Sequence, residues 1–263
     1  MSVVTRGIGV AFFVAAIAAE AAIAFADTPP DSVGTAAAIT TDVTGKTAAQ
    51  TTVLKTGDGV VQNESLTSNG TGIGQFEFRD GTKLALGPNS TVVLDSFVYA
   101  SDTSKAKVVI NLTQGALRFI TGNANHDAYQ ITTPTATIAV RGTAFDVYAQ
   151  PDGDMAVAML NGAIEVCPQS GACRVHDVIG QFLTMTSDGV FSLSKTWGGT
   201  IFKDVALKDA LPFISDQSPL IPALKGSTKV VATYVGATGT AVKKAVEGVG
   251  KIHLFNPLKL FQQ

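Results

Sequence analysis

The feature that most constrains this chain is the spacing of its turns. Asp80-Gly81, Pro88-Asn89, Gln114-Gly115, Asp152-Gly153, Asn161-Gly162 and Asp188-Gly189 each carry turn chemistry, and the stretches between them are mostly short. Phe76-Glu77-Phe78 and Ala163-Ile164-Glu165-Val166 alternate apolar and polar, the period of half-buried strands. Residues 92–94, 108–110 and 155–160 are continuous apolar runs, which suit strands covered on both faces. Gly, Thr, Val and Ala dominate, whereas the helix formers Glu, Lys and Arg are scarce. The pattern predicts an all-β domain over residues 39–195, either a β-sandwich or a β-solenoid-like stack of short strands. A weak internal echo links residues 111–117 with 158–164. It does not recur at a fixed period, so a duplicated sheet fits better than a repeat array.

Hydrophobic residues make up 46% of the chain and charged residues 15%, enough apolar material for a packed core. Formal net charge is −2, so no basic surplus exists to neutralise a nucleic-acid backbone. Residues 1–26 read as a secretory signal peptide. Arg6 is followed by a small, apolar run, and Ala24-Phe25-Ala26 offers small residues where a signal peptidase cuts, between Ala26 and Asp27. An uncleaved anchor is the competing reading, but Glu20 interrupts the apolar stretch. Residues 27–38 read as a flexible, Pro-, Ala- and Thr-rich leader. No later segment is long and apolar enough to span a membrane, so a periplasmic or secreted location is expected.

Cys167 and Cys173 flank a turn marked by Pro168 and Gly171. In an oxidising compartment that arrangement predicts a disulfide. A metal pair is the alternative, but His176 is the one further ligand close in sequence, and zinc takes four. Residues 196–263 change texture. A short helix is expected at 204–211, then a linker through Pro212, Pro219 and Pro222, then an apolar helical face at 230–249 weakened by several glycines. This small helical and irregular tail either packs on the β-domain or orders on a membrane surface or partner.

Between residues 70 and 180 the chain resembles the FecR domain. The stretch from Phe76-Glu77-Phe78-Arg79 through Asp80-Gly81-Thr82 to Asn89-Ser90 is similar to its first signature. Thr133-Pro134-Thr135 through Val140-Arg141-Gly142-Thr143 to Phe145-Asp146-Val147 is similar to its second, most specific one. The Asn161-Gly162 turn followed by Val178-Ile179-Gly180 supplies a third element, and Leu54-Lys55-Thr56-Gly57-Asp58 fits the pattern upstream. The resemblance implies an extracytoplasmic all-β module. FecR-type regulators receive a signal from an outer-membrane siderophore receptor and relay it to a sigma factor. Here a signal peptide stands where the cytoplasmic anti-sigma region would be, so what carries over is the binding or scaffold domain.

The signature residues also have a reading of their own. Gly81 and Gly142 suit positive-φ turns, and Thr82 and Thr143 suit strand starts. Arg141 is expected to clamp Asp146 or Asp80, or else to contact a ligand. Near-motifs fail: Gly45-Lys46-Thr47 lacks a P-loop's first glycine, and Gly70-Thr71-Gly72-Ile73-Gly74 is followed by Gln75 rather than the last glycine of a dinucleotide fingerprint. His126, His176 and His253 are far apart, and Asp152-Gly153-Asp154 is too short for a calcium loop. Asn63, Asn69, Asn89 and Asn111 open sequons but read as turn and strand-edge residues. The expectation is a non-enzymatic module without catalytic residues, metal or cofactor, engaging an envelope protein or cell-wall component. A sensor for metal-siderophore or envelope signalling, working with a separate membrane protein, is one alternative. An envelope polysaccharide hydrolase is the other.

Overall fold

The computed structural model describes residues 32–98, 107–123, 128–199 and 201–236. Its strands are β1 (Ser32–Thr40), β2 (Val43–Lys46), β3 (Thr51–Val53), β4 (Gly59–Val61), β5 (Ser65–Ser68), β6 (Ile73–Phe78), β7 (Lys83–Leu86) and β8 (Thr91–Val98). They continue as β9 (Lys107–Ile120), β10 (Tyr129–Thr132), β11 (Ala136–Ala149), β12 (Met155–Pro168), β13 (Arg174–His176), β14 (Phe182–Met185) and β15 (Phe191–Ser194). All belong to one hydrogen-bonded sheet.

Three strands of 14 residues organise that sheet, and each contains a glycine with positive φ: Gly115 (91°) in β9, Gly142 (60°) in β11 and Gly162 (79°) in β12. Such a residue bends the strand and changes its neighbours. Before its glycine β9 pairs with β8 and β10; after it, with β7 and β11. β12 pairs with β14 before its glycine and with β13 after it, keeping β11 on the other side throughout. The sheet is thereby folded into two arms. One runs β2-β5-β8-β9-β10-β11-β12-β13, with β3 beside β2; the other runs β4-β1-β6-β7-β9-β11-β12-β14-β15.

The inner faces of the arms share one core. Leu66, Val92, Ile110 and Ile138 come from the first arm; Phe76, Leu84, Phe145 and Val157 come from the second. Rings meet across it: Phe78 stacks on Phe97 at 4.7 Å, and Phe119 meets Tyr129 edge-on at 5.9 Å. Of the two arrangements open to the sequence, the sandwich-like fold is the one formed. Its pairings are antiparallel apart from β9–β10, whereas a solenoid would need parallel coils.

The leader reading is corrected at its end, because residues 32–38 lie in β1. This strand is paired on both sides, with β4 and β6. Its small residues serve close packing rather than flexibility: a methyl on Gly34 would sit 2.7 Å from the Phe78 ring, and Ala36 is fully buried. The signal peptide, Ala26 and Asp27 lie outside the described residues, as do His126 and His253.

The C-terminal segment forms a third layer. Helices α1 (Leu207–Ala210), α2 (Pro212–Ser215) and α3 (Thr228–Val235), with a 3₁₀ turn at Pro222–Leu224, cover the outer face of the second arm. Ala210, Leu211, Ile214 and Tyr234 pack on Ala158, Leu160 and Phe182. Coverage on both faces explains why residues 155–160 are apolar without alternation.

Cys167 and Cys173 are bonded (S–S 2.09 Å) across the β12–β13 hairpin. In the same hairpin His176 is 2% exposed, and its Nε2 lies 3.2 Å from the Gln181 carbonyl oxygen. Burial holds its pKa below the ordinary value; the Gln181 carbonyl and Asp177 oppose that shift, and Arg174 adds to it. The folded state therefore binds this proton less readily than the unfolded chain, whose histidine titrates near 6.5. The His176 contribution is complete above about pH 6.5 and declines as pH falls below it. Melting temperatures of the wild type and His176→Gln, measured from pH 7.5 to 5, should show a shallower acid decline in the variant. Equal slopes would remove His176 from the acid response.

Candidate functional site

Outward-facing residues of the second arm form a row across its strands. Register places Gln75 of β6 beside Ala85 of β7, Ala85 beside Arg118 of β9, Arg118 beside Asp146 of β11, Asp146 beside Ala158 of β12, and Ala158 beside Phe182 of β14. Period-two alternation sends Leu117, Phe119, Phe145 and Val147 into the core and turns Arg118 and Asp146 to the opposite face. The C-terminal layer then seals that face.

Arg118 is fully buried and grips Asp146 with two parallel bonds, Nε to Oδ1 at 2.5 Å and Nη2 to Oδ2 at 2.8 Å. Its Nη1 donates to Gln217 Oε1 (2.7 Å) and to the Leu224 carbonyl (3.2 Å), and the guanidinium lies 5.7 Å from the centre of the Phe213 ring. Burial works against the Asp146 charge and the guanidinium works for it. Gln75 adds a second tie, donating to Pro219 O (2.9 Å) and accepting from Ile221 N–H (2.7 Å). Tyr234 adds a third, donating to Met159 O at 2.7 Å, and burial pushes its phenol up to about 12. Alanines at 85 and 158 leave room for Phe213 and Tyr234. The row binds the C-terminal layer to the sheet.

The first signature is a turn held by its own side chains. Asp80 accepts from Thr82 N–H (3.0 Å), from Thr82 Oγ1 (2.7 Å) and from Tyr129 Oη (2.8 Å), while Gly81 takes φ 83°. The second signature is the β11 corner. Gly142 turns the strand, Thr143 is buried, and Arg141 is exposed opposite Ala163. Neither expected partner meets Arg141: Asp146 is taken by Arg118, and Asp80 by Thr82 and Tyr129. The reason is the corner itself, since Arg141 precedes it on the first arm and Asp146 follows it on the second. Arg118 was missed although it carried a signal, a lone charge inside Ala116-Leu117-Arg118-Phe119-Ile120.

The remaining candidates serve turns and, at Asn111, a link between strands. Asp154 accepts from Ser187 N–H at 2.8 Å, and Asp152 accepts from Asp154 N–H at 3.3 Å. Asn63 and Asn89 hold positive φ, Asn69 donates to Asp42, and Asn111 links Asp95 with Thr132.

A glycine-cornered, two-armed sheet with a strapped outer face and signature turns that hold the fold defines an all-β module. Residues 64–165, from the residue before β5 into β12, match the family model described as FecR protein. Two crystal structures of a candidate anti-sigma factor from Parabacteroides distasonis ATCC 8503 are also similar, at 18% and 19% identity with TM-scores of 0.40 and 0.39. Each alignment covers 49% of this chain and 58% of that one, so this chain spans little more than half of that protein's length. No curated protein matches the chain. Among the described residues no helix is long and apolar enough to cross a membrane.

Proposed function

We propose that this protein is a non-enzymatic binding or scaffold module of the cell envelope, exported and released by cleavage after Ala26, that engages an envelope protein or cell-wall component. The match of residues 64–165 to the FecR family carries this reading, because that family is one of envelope signalling. The geometry is compatible with it. The buried polar row is spent on holding the C-terminal layer, and Asp80 and Thr82 are spent on a turn, so the signature residues maintain a shaped surface. Arg141 stands exposed on that surface at the β11 corner.

Crosslinking in intact cells of the source organism, followed by affinity capture, tests the reading. An envelope or outer-membrane protein or a wall fragment should be recovered with a chain whose first residue is Asp27. Arg141→Ala should lose capture if the corner is the contact face. Recovery of cytoplasmic partners alone, on a chain that keeps its first 26 residues, would overturn the proposal.

A further inference from the structure

A concave site lies beside the outermost strands β3 and β4 of the sheet. Strands β3 and β4, the turn after β4 and the β2–β3 loop enclose a cavity of about 660 Å³. Each of these two strands is paired on one side only, β3 with β2 and β4 with β1. Thr47, Gln50, Thr52, Asp58, Asn63 and Glu64 are among its lining residues.

Glu64 is the unusual member. It is 5% exposed, yet it is a carboxylate. Its Oε2 accepts the Val61 N–H at 2.8 Å, which steadies the turn at Asn63. Its Oε1 accepts no hydrogen bond among the described residues and borders the cavity. Position 45 is glycine, and a methyl there would overlap Oε1, so the strand beside it is shaped around this oxygen. Burial pushes the Glu64 carboxyl above its ordinary value, with the Val61 N–H opposing. Oε1 is open to the cavity, and a charged N–H donor there would make a charge-assisted hydrogen bond with it.

The lining selects among donors. Asp58 is a second carboxylate there, with Oδ2 bonded to Lys55 N–H at 2.8 Å, and no Lys or Arg lines the cavity among the described residues. That charge pattern favours a cation. Asp58 and Glu64 belong to no cluster of three or more His, Cys, Asp or Glu among the described residues, which argues against a coordinated metal. Among the described residues no aromatic side chain lines the cavity either, so the ring faces that hold quaternary ammonium groups are not supplied there. An N–H donor with a positive charge fits what remains, and Ala48, Ala49, Leu54 and Val61 give a short alkyl stem apolar contact.

We propose that this cavity binds a primary ammonium group on a short aliphatic chain, with Glu64 Oε1 as its principal acceptor and Asp58 as the second charge. The site is separate from the corner surface and goes beyond the partner reading, so either can fail without the other.

Calorimetric titration of the mature protein with 1,5-diaminopentane is the test, with 1,5-pentanediol and tetramethylammonium as controls. Saturable binding is expected for the diamine and not for either control. Glu64→Gln retains an oxygen for the Val61 N–H, so its melting temperature should stay near that of the wild type while diamine affinity falls at least about tenfold, the scale of one charge-assisted contact. Asp58→Asn should weaken binding less. Lowering the pH should weaken wild-type binding as Glu64 takes up a proton. Diamine binding unchanged in Glu64→Gln, equal binding of the diol, or no saturable binding by a folded wild type would each overturn the proposal.

Discussion

Arg118→Ala is expected to cost about 3–5 kcal/mol of folding stability, the range for a buried pair broken on one side. The loss is large because Arg118 makes four bonds and Asp146 would be stranded between the sheet and the C-terminal layer. An exposed pair such as Lys203–Asp204 contributes about 0–1 kcal/mol and gives the comparison. Arg118→Lys should recover part of the loss, since Lys keeps the charge without the two-pronged donor. Replacing both partners, Arg118→Met with Asp146→Leu, should restore most of it, because no charge is then left unpaired. Denaturant unfolding measures the losses, and limited proteolysis near Gln217 reads release of the layer. A loss below about 1 kcal/mol for Arg118→Ala would show that the pair does not hold the fold.

Gly115→Ala should be nearly as damaging. A left-handed backbone costs a non-glycine residue about 1–2 kcal/mol, and overpacking adds about 1–3 kcal/mol. At this corner the new methyl would overlap Ser90 Oγ and lie 2.5 Å from Ser90 Cα. Ser90 cannot simply move, because its Oγ accepts the Ala116 N–H at 2.7 Å and its own N–H donates to Ser68 Oγ at 3.0 Å. A fall in melting temperature of roughly 10 °C follows for a chain of this size. Gly57→Ala is the control: it shares the positive φ, at 97°, but nothing lies within 4 Å of its added methyl. It should show the backbone cost alone. Equal effects of the two substitutions would mean that the corner at Gly115 is not tightly packed.

Much of this was readable along the chain. Turn chemistry at Asp80-Gly81-Thr82 is local, so the side-chain bonds that close the turn lie within three residues of one another. The Cys167–Cys173 hairpin is local for the same reason. The unbroken run at 155–160 announced a strand covered on both faces, and the helical layer covers it. Signature residues over 64–165 are enough to bring out the match to the FecR family model.

What only the tertiary structure decided is who meets whom across long separations. Arg141 and Asp146 are close in sequence, but a positive-φ glycine between them sends them to different arms. Asp146 instead faces Arg118, 28 residues away, because strand register and not sequence distance sets side-chain neighbours. Gln75 reaches Pro219 across 144 positions by the same logic. Glu64 carries no local signal of burial, and only the approach of Gly45 and Val61 makes it a buried carboxylate beside a cavity. Local composition determined that the chain would fold as short strands and tight turns. Which polar groups end up buried, and opposite what, depends on contacts between distant segments, and those exist only once the sheet has folded over at its glycine corners.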